Sequence, residues 1–295
     1  MSAWTHEHAC SLPAAPARVF AALTEPRELE RWFAEHAEVE PRAGGAYRFW
    51  GRRTYGTPSR AEATQIVTRF EPSAALAYRW PLHELDSEVS FALADDDSAD
   101  NAGGTRLVVR HAFPGELPVD RPRHLVDDLW RLSCANLQAH LEGGDGLLLP
   151  DFDDPSPEVR VSIFVDAPRE RVFRALVEPE LLNGWIAASA EVEPREGGRY
   201  RYGWSYEIEG RRVEGGPTRI LELVENERLV TDWPDWRGDE TVPVQTITWT
   251  LESEGSGTRV TVVHSGFVRA ADLSDYGFGW PGFLAALKSS SESAG

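Results

Sequence analysis

Two histidines stand at matched positions in a chain that otherwise has few residues suited to acid–base work. His111 ends the run TRLVVRH and His264 ends TRVTVVH, a spacing of 153 residues (264 − 111). An imidazole at a strand end can hydrogen-bond a ligand or move a proton near neutral pH. It can equally tie the strand to a neighbouring carbonyl, and neither histidine has a carboxylate or nucleophile at a telling distance in sequence. The second candidate chemistry is ring stacking. The first half of the chain carries Phe49, Tyr78, Trp80 and Phe91, with Trp32 and Trp130. The second half carries Tyr200, Tyr202, Trp204, Trp233, Trp249 and Trp280, with Trp185. Such rings fill cores, but many rings with polar tips also suit a pocket for a flat, apolar ligand. Trp32 and Trp185 read as core. The other rings apart from Trp130, together with the two histidines, form the candidate ligand-binding set, with no catalytic residue assigned.

Other potential sites have plainer explanations. Gly44-Gly45 and Gly197-Gly198 precede strands rather than helices, so they read as hairpin turns, not phosphate loops. Asp95, Asp96, Asp97 and Asp100 lack the central Gly and terminal Glu of a calcium loop and read as a solvated hairpin tip. His6 and His8 share a strand face, but no third metal ligand is evident nearby. Cys10 and Cys134 are the only cysteines, which is neither a disulfide framework nor a zinc set. Fingerprints for dinucleotides, zinc proteases, dithiols and serine hydrolases are missing from the sequence. No cofactor and no metal are expected.

The formal net charge of −18 and the lack of a Lys/Arg run argue against nucleic acid and anionic membranes as partners. The start MSAWTHEHACSLPA has no basic segment followed by an apolar one, so a signal peptide is not expected. No apolar run approaches membrane-spanning length. These features, with the sparse cysteines, predict a cytoplasmic protein.

The elements that position these residues are written twice. RVFAALTEPRELERWFAEHAEVEPRAGGAYR (18–48) returns as RVFRALVEPELLNGWIAASAEVEPREGGRYR (171–201) at the same spacing. About two-thirds of the positions are identical, which marks a repeat of domain size. Domains of 1–149 and 150–295 are expected, joined by the Gly- and Pro-rich stretch around residue 150. In each copy a strand (6–12 in the first) leads into two short helices (17–23 and 27–34), parted at Glu25-Pro26 because the residue before proline avoids the helical region. Strands follow. Leu76, Tyr78 and Trp80 should share a face, as should Val89, Phe91 and Leu93, and Leu107, Val109 and His111. Alternation also places Tyr200, Tyr202, Trp204 and Tyr206 in one row, and Ile247, Trp249 and Leu251 in another. A long amphipathic helix over 122–141 closes copy one. A shorter one, Trp280 to Leu287, is expected in copy two, after a looped Tyr276-Gly-Phe-Gly approach. The order β-α-α-β-β-β-β-β-β-α predicts an α+β fold with a curved antiparallel sheet wrapped on the long helix, and such a wrap readily leaves an apolar cavity.

These residues resemble the START-type (SRPBCC) superfamily, the helix-grip fold, and within it the branch homologous to the activator of the heat-shock-protein ATPase. The resemblance rests on Val19-Phe20, Ala22-Leu23-Thr24, Pro26, Leu29 and Trp32, then Val39-Glu-Pro-Arg, Gly44-Gly45 and Tyr47. Copy two adds Gly257-Thr-Arg, His264-Ser-Gly-Phe, Gly279-Trp280, Phe283-Leu284 and Leu287. Copy one departs at its end, where His111-Ala-Phe-Pro replaces the His-Ser-Gly-Phe pattern and no Gly-Trp opens the last helix. The resemblance implies two tandem helix-grip domains and a spread of roles. Members bind apolar small molecules, act as co-chaperones or assist polyketide chemistry, and relatives in antibiotic producers resemble enediyne self-resistance proteins. The expectation is therefore a non-enzymatic binder of a hydrophobic, aromatic, polyketide- or enediyne-like molecule, with a role in self-resistance or natural-product biosynthesis. The alternatives are a didomain aromatase/cyclase, in which His264 would act with Tyr206 or Glu207, and an interaction module with a protein partner. Fold alone does not choose among them. Copy two, with the richer ring set, is the expected binding half.

Overall fold

The computed structural model describes residues 2–98, 101–208 and 210–293; Asp100 of the acidic hairpin tip lies outside them. Packing divides the chain into two units: Met1–Asp154 with Arg269–Asp275, and Pro155–Val268 with Tyr276–Gly295. No helix among the described residues is long and apolar enough to cross a membrane.

Unit 1 follows the expected order: β1 (Trp4–Leu12), α1 (Pro16–Thr24), α2 (Pro26–Trp32), β2 (His36–Val39), β3 (Tyr47–Trp50), β4 (Ile66–Glu71), β5 (Ala75–Leu82), β6 (Leu85–Asp96), β7 (Gly104–Phe113) and α3 (Pro122–Leu141). Pro16 and Pro26 each open a helix, where a missing N–H costs nothing. Glu25 between the two helices is extended, with ψ 124°, as its position before proline requires. Five strands form an antiparallel sheet in the order β1-β7-β6-β5-β4, and β2 and β3 make a separate hairpin with Ala37 opposite Phe49 and Val39 opposite Tyr47. Leu76, Tyr78, Trp80, Val89, Phe91, Leu93, Leu107, Val109 and His111 are all buried, so the alternation assigned the inner face correctly. Leu125, Val126, Leu129 and Trp130 of α3 are buried in the same core.

Unit 2 repeats the plan with β8 (Val159–Val165), α4 (Arg169–Val177), α5 (Pro179–Leu182), β9 (Glu191–Val192), β10 (Tyr200–Arg201), β11 (Trp204–Ile208), β12 (Arg211–Gly215), β13 (Ile220–Val224), β14 (Arg228–Trp233), β15 (Gln245–Glu254), β16 (Gly257–Ser265) and α6 (Tyr276–Ser293). Its sheet runs β13-β14-β15-β16-β8, the equivalent order. The architecture is thus α+β, two tandem helix-grip domains, each with a sheet, a long C-terminal helix and two short helices.

The repeat is visible in hydrogen bonds as well as in sequence. Trp32 Nε1 donates to Ala22 O and Trp185 Nε1 to Ala175 O, both at 3.0 Å. Tyr47 Oη donates to Leu23 O at 2.6 Å and Tyr200 Oη to Leu176 O at 2.7 Å. Thr105 Oγ1 and Thr258 Oγ1 reach Ala14 O and Ala167 O at 2.6 and 2.7 Å. These bonds tie the short helices to each other, to the neighbouring hairpin and, through the threonines, to the sheet, by residues that the two copies share.

Two sequence expectations are corrected. The closing helix of copy two is not short and has no looped approach, because Tyr276 to Trp280 are its first residues. Gly277 and Gly279 each cost about 1 kcal/mol of helix propensity, but Tyr276 packs 4.5 Å from the His264 ring and Trp280 is buried. Tertiary packing of two aromatic side chains outweighs the glycine cost. The row Tyr200, Tyr202, Trp204, Tyr206 is also not continuous. Gly203, with φ +72°, breaks the strand between Tyr202 and Trp204. Tyr200 and Tyr202 stay buried, Trp204 is half-buried, and Tyr206 is 42% exposed.

Candidate functional site

Both histidines sit in the same bonded frame. His111 and His264 are fully buried on the inner face of β7 and β16. Trp130 Nε1 of α3 donates to His111 Nδ1 at 3.2 Å, and Trp280 Nε1 of α6 donates to His264 Nδ1 at 3.3 Å. An indole nitrogen only donates, so Nδ1 must be the unprotonated atom in each ring. The Nε2–H of His264 then donates to Gln245 Oε1 at 2.7 Å. The Nε2–H of His111 donates to Ser87 Oγ at 2.8 Å, and Ser87 passes its own hydrogen to Trp80 O at 2.5 Å. Ser87 and Gln245 occupy matching places on β6 and β15, two residues before Val89 and Ile247, which face the histidines across the ladder. Burial pushes both imidazoles down to about 3. Each is therefore a neutral clamp between the sheet and the closing helix, with both ring nitrogens engaged.

The rings form a continuous wall in each unit. In unit 1, Phe49 lies 5.8 Å from Tyr78 and 5.1 Å from Trp80. Trp80 stacks on His111 at 5.5 Å, and Phe91 meets Trp130 edge-on at 5.7 Å. In unit 2, Tyr200, Tyr202 and Trp204 follow one another at 5.6 and 4.9 Å. Trp204 lies 6.1 Å from Trp233, and Trp233 5.6 Å from Trp280. Trp249 touches Trp280 at 5.8 Å. All the sequence-derived ring candidates are thus brought together, each within its own unit, and most of them pack against one another.

One polar feature recurs at equivalent positions. The indole N–H groups of Trp80 and Trp233 are both buried without a hydrogen-bond partner. Trp249 Nε1 is in the same condition. A buried donor left unpaired costs about 1–3 kcal/mol.

The space beside these groups differs between the units. In unit 1 a cavity of 20 Å³ lies between Phe33, Trp80 and the α3 residues Leu129, Leu132, Ser133 and Asn136. Thr54 Oγ1, also buried and unpartnered, borders it. That volume suits one water molecule. Its outer wall is the stretch Leu148 to Phe152. Asn136 grips Leu148 by both backbone atoms, at 2.7 and 2.8 Å, and Phe152 N donates to Arg52 O at 2.8 Å. In unit 2 an open cleft of 240 Å³ has Trp204 in its lining, with Ser189, Glu191, Arg201, Gly203 and Thr218. Trp204 is held there by its Nε1 bond to Ile186 O at 2.8 Å. Gly203 cannot be replaced cheaply, because a Cβ would lie 2.6 Å from Ser189 O. Arg201 and Glu214, 3.3 Å apart, give the rim both charges. Sequence periodicity did not locate this cleft. Its signal was Gly203 itself, which turns the strand and brings Trp204 to the rim.

A separate cluster, His8, Cys10 and Cys134, has the donor types of a metal site and lies between β1 and α3 of unit 1.

Residues 13–142 and 166–292 both match the family described as Activator of Hsp90 ATPase homolog 1-like protein. No curated protein matches the chain. Among solved structures the chain is similar to DynU16, a putative protein in the dynemicin biosynthetic locus, at 20% identity over 98% of each chain with a TM-score of 0.40. It is also similar to the di-domain ARO/CYC BexL from the BE-7585A biosynthetic pathway, at 15% identity over 98% of this chain and 99% of that one, with a TM-score of 0.37. Protein CV1439 from Chromobacterium violaceum matches at 27% identity over 46% of this chain and 96% of its own, with a TM-score of 0.36.

Proposed function

The chain belongs to the Activator of Hsp90 ATPase homolog 1-like family, and from that premise we propose that it binds and sequesters a flat, aromatic, oxygen-bearing small molecule without transforming it. The second domain, residues 150–295, is the binding half, and the first, residues 1–149, is the supporting half. The observation that carries this reading is the cleft lined by Trp204, whose ring centroid lies 6.1 Å from that of Trp233, a buried indole with an unpartnered N–H outside the cleft lining. A ring entering the cleft stacks on Trp204, and side-chain shifts that open the way past Trp204 let a carbonyl or ether oxygen accept from the buried Trp233 N–H. The cleft volume of 240 Å³ lies just below the ~300–1,000 Å³ of ordinary small-molecule sites, so small side-chain shifts suffice to admit a ring. The first domain offers its equivalent donor, Trp80, only a water-sized space behind the clamped 148–152 stretch. Binding without turnover is favoured because His264 is neutral and bonded through both nitrogens, so it holds no free base for a substrate proton. Tyr206 is exposed on β11 while His264 is fully buried.

The test is a fluorescence titration with a planar anthraquinone, with the mixture analysed afterwards by chromatography. Saturable quenching at micromolar levels and unchanged recovery of the quinone are expected. Trp204→Ala should weaken binding about tenfold, through lost stacking and buried area. Trp233→Phe keeps the ring but loses the donor, and should weaken binding about three- to tenfold. A linear, unsaturable titration would overturn binding, and a new product would overturn the absence of turnover.

A further inference from the structure

We propose that His8, Cys10 and Cys134 form a zinc site that fastens β1 to α3 in the first domain. The Nδ1 or Nε2 of His8 and the two sulfur atoms lie within 4.8 Å of one another. Two thiolates on tetrahedral zinc sit about 3.8 Å apart, given Zn–S bonds of about 2.3 Å. Contraction by about 1 Å or less therefore brings the three donors to bonding distance. Neither thiol is committed to a disulfide, and a hydrogen bond from Cys134 to Cys10 joins them. His8 and Cys10 alternate on one face of β1, and Cys134 comes from the middle of α3, so two elements supply the ligands. His8 and Cys10 are half-buried while Cys134 is buried. Three of the four coordination positions are thus filled by protein, and the fourth can be taken by water from the open side.

The second copy supplies the comparison that makes the cluster more than a packing solution. In the shared register His8 pairs with Val109 as Val161 pairs with Val262, and Cys10 pairs with Leu107 as Ile163 pairs with Val260. On the helices Trp130 and Trp280 make the equivalent histidine bond, so Cys134 and Leu284 follow them by the same four residues. The fold therefore accepts Val161, Ile163 and Leu284 at the three places. In the first copy all three apolar residues are replaced together, by one imidazole and two thiols, donor types that suit zinc.

The full chain, reduced and freed of metal, is titrated with Co2+ as the spectroscopic probe and then with Zn2+. One Co2+ per chain is expected, with a sulfur-to-cobalt charge-transfer band that Zn2+ abolishes. The triple variant His8→Val, Cys10→Ile and Cys134→Leu copies the apolar set of unit 2 and should fold, while losing the band completely. Wild-type protein with no charge-transfer band would overturn the proposal. So would a band that survives in the triple variant, or a Cys10–Cys134 disulfide in protein kept under reducing conditions.

Discussion

Trp280→Ala is expected to destabilise unit 2 by about 3–5 kcal/mol, the range for removing a buried tryptophan. Trp280 is 2% exposed, and it meets Trp233, Trp249, Phe283 and His264 with ring centroids within 5.9 Å. Alanine leaves a void at the centre of that cluster and takes away the N–H that His264 Nδ1 accepts. The clamp between α6 and β16 is lost with it. Trp280→Phe separates the two contributions. It refills much of the space and forfeits chiefly the hydrogen bond, which is worth about 0.5–1.5 kcal/mol. Urea unfolding of the full chain, read on the transition that Trp130→Ala leaves in place, checks both. A Trp280→Ala shift no larger than that of an exposed substitution would mean that α6 is not held by this ring.

The second large effect is on acid stability. The ordinary histidine pKa is 6.5, and burial pushes His264 down to about 3 in the folded chain. Between these values the unfolded chain holds a proton that the folded one does not. Stability from this group is therefore complete above about pH 6.5 and is lost as the pH falls toward about 3, at about 1.4 kcal/mol per pH unit. Protonation also puts a hydrogen on Nδ1, where the Trp280 N–H already points. His264 is the only histidine in unit 2, and hydrogen bonds hold Glu178, Glu254 and Glu292 below the ordinary glutamate value of 4.5. From pH 6.5 to 5 unit 2 should therefore lose about 2 kcal/mol on account of His264. In His264→Gln, whose amide oxygen can still accept from Trp280, that dependence should vanish. An unchanged slope in the variant would place the titrating group elsewhere. Unit 1 should show the same sign through His111.

Much of the fold was legible because two copies of one sequence fail to vary where packing is demanding. The spacing that links Trp32 to Trp185 and Tyr47 to Tyr200 reappears as paired hydrogen bonds to the same carbonyl positions. Strand alternation put His111 and His264 on the apolar face, where they are. It could not name their partners, because Gln245 and Trp280 flank His264 from another strand and from a helix. Nor could alternation see past Gly203, where a positive φ turns Trp204 out of the row and makes it part of the cleft. The closing helix of copy two was under-read because Gly277 and Gly279 signal a loop locally, and only the three-dimensional packing of Tyr276 and Trp280 reverses that preference. His8 showed no ligand set in sequence because Cys134 joins it through the docking of α3 on β1.

The proposed binding mode turns on one donor, so the most direct measurement is the indole N–H resonance of Trp233 in a 1H–15N spectrum, identified by its loss in Trp233→Phe. On addition of a planar quinone that resonance should move downfield and saturate together with the fluorescence change, as an unpaired N–H acquires an acceptor. A resonance that stays in place while the quinone binds would contradict the assignment of Trp233 as the ligand's hydrogen-bond donor.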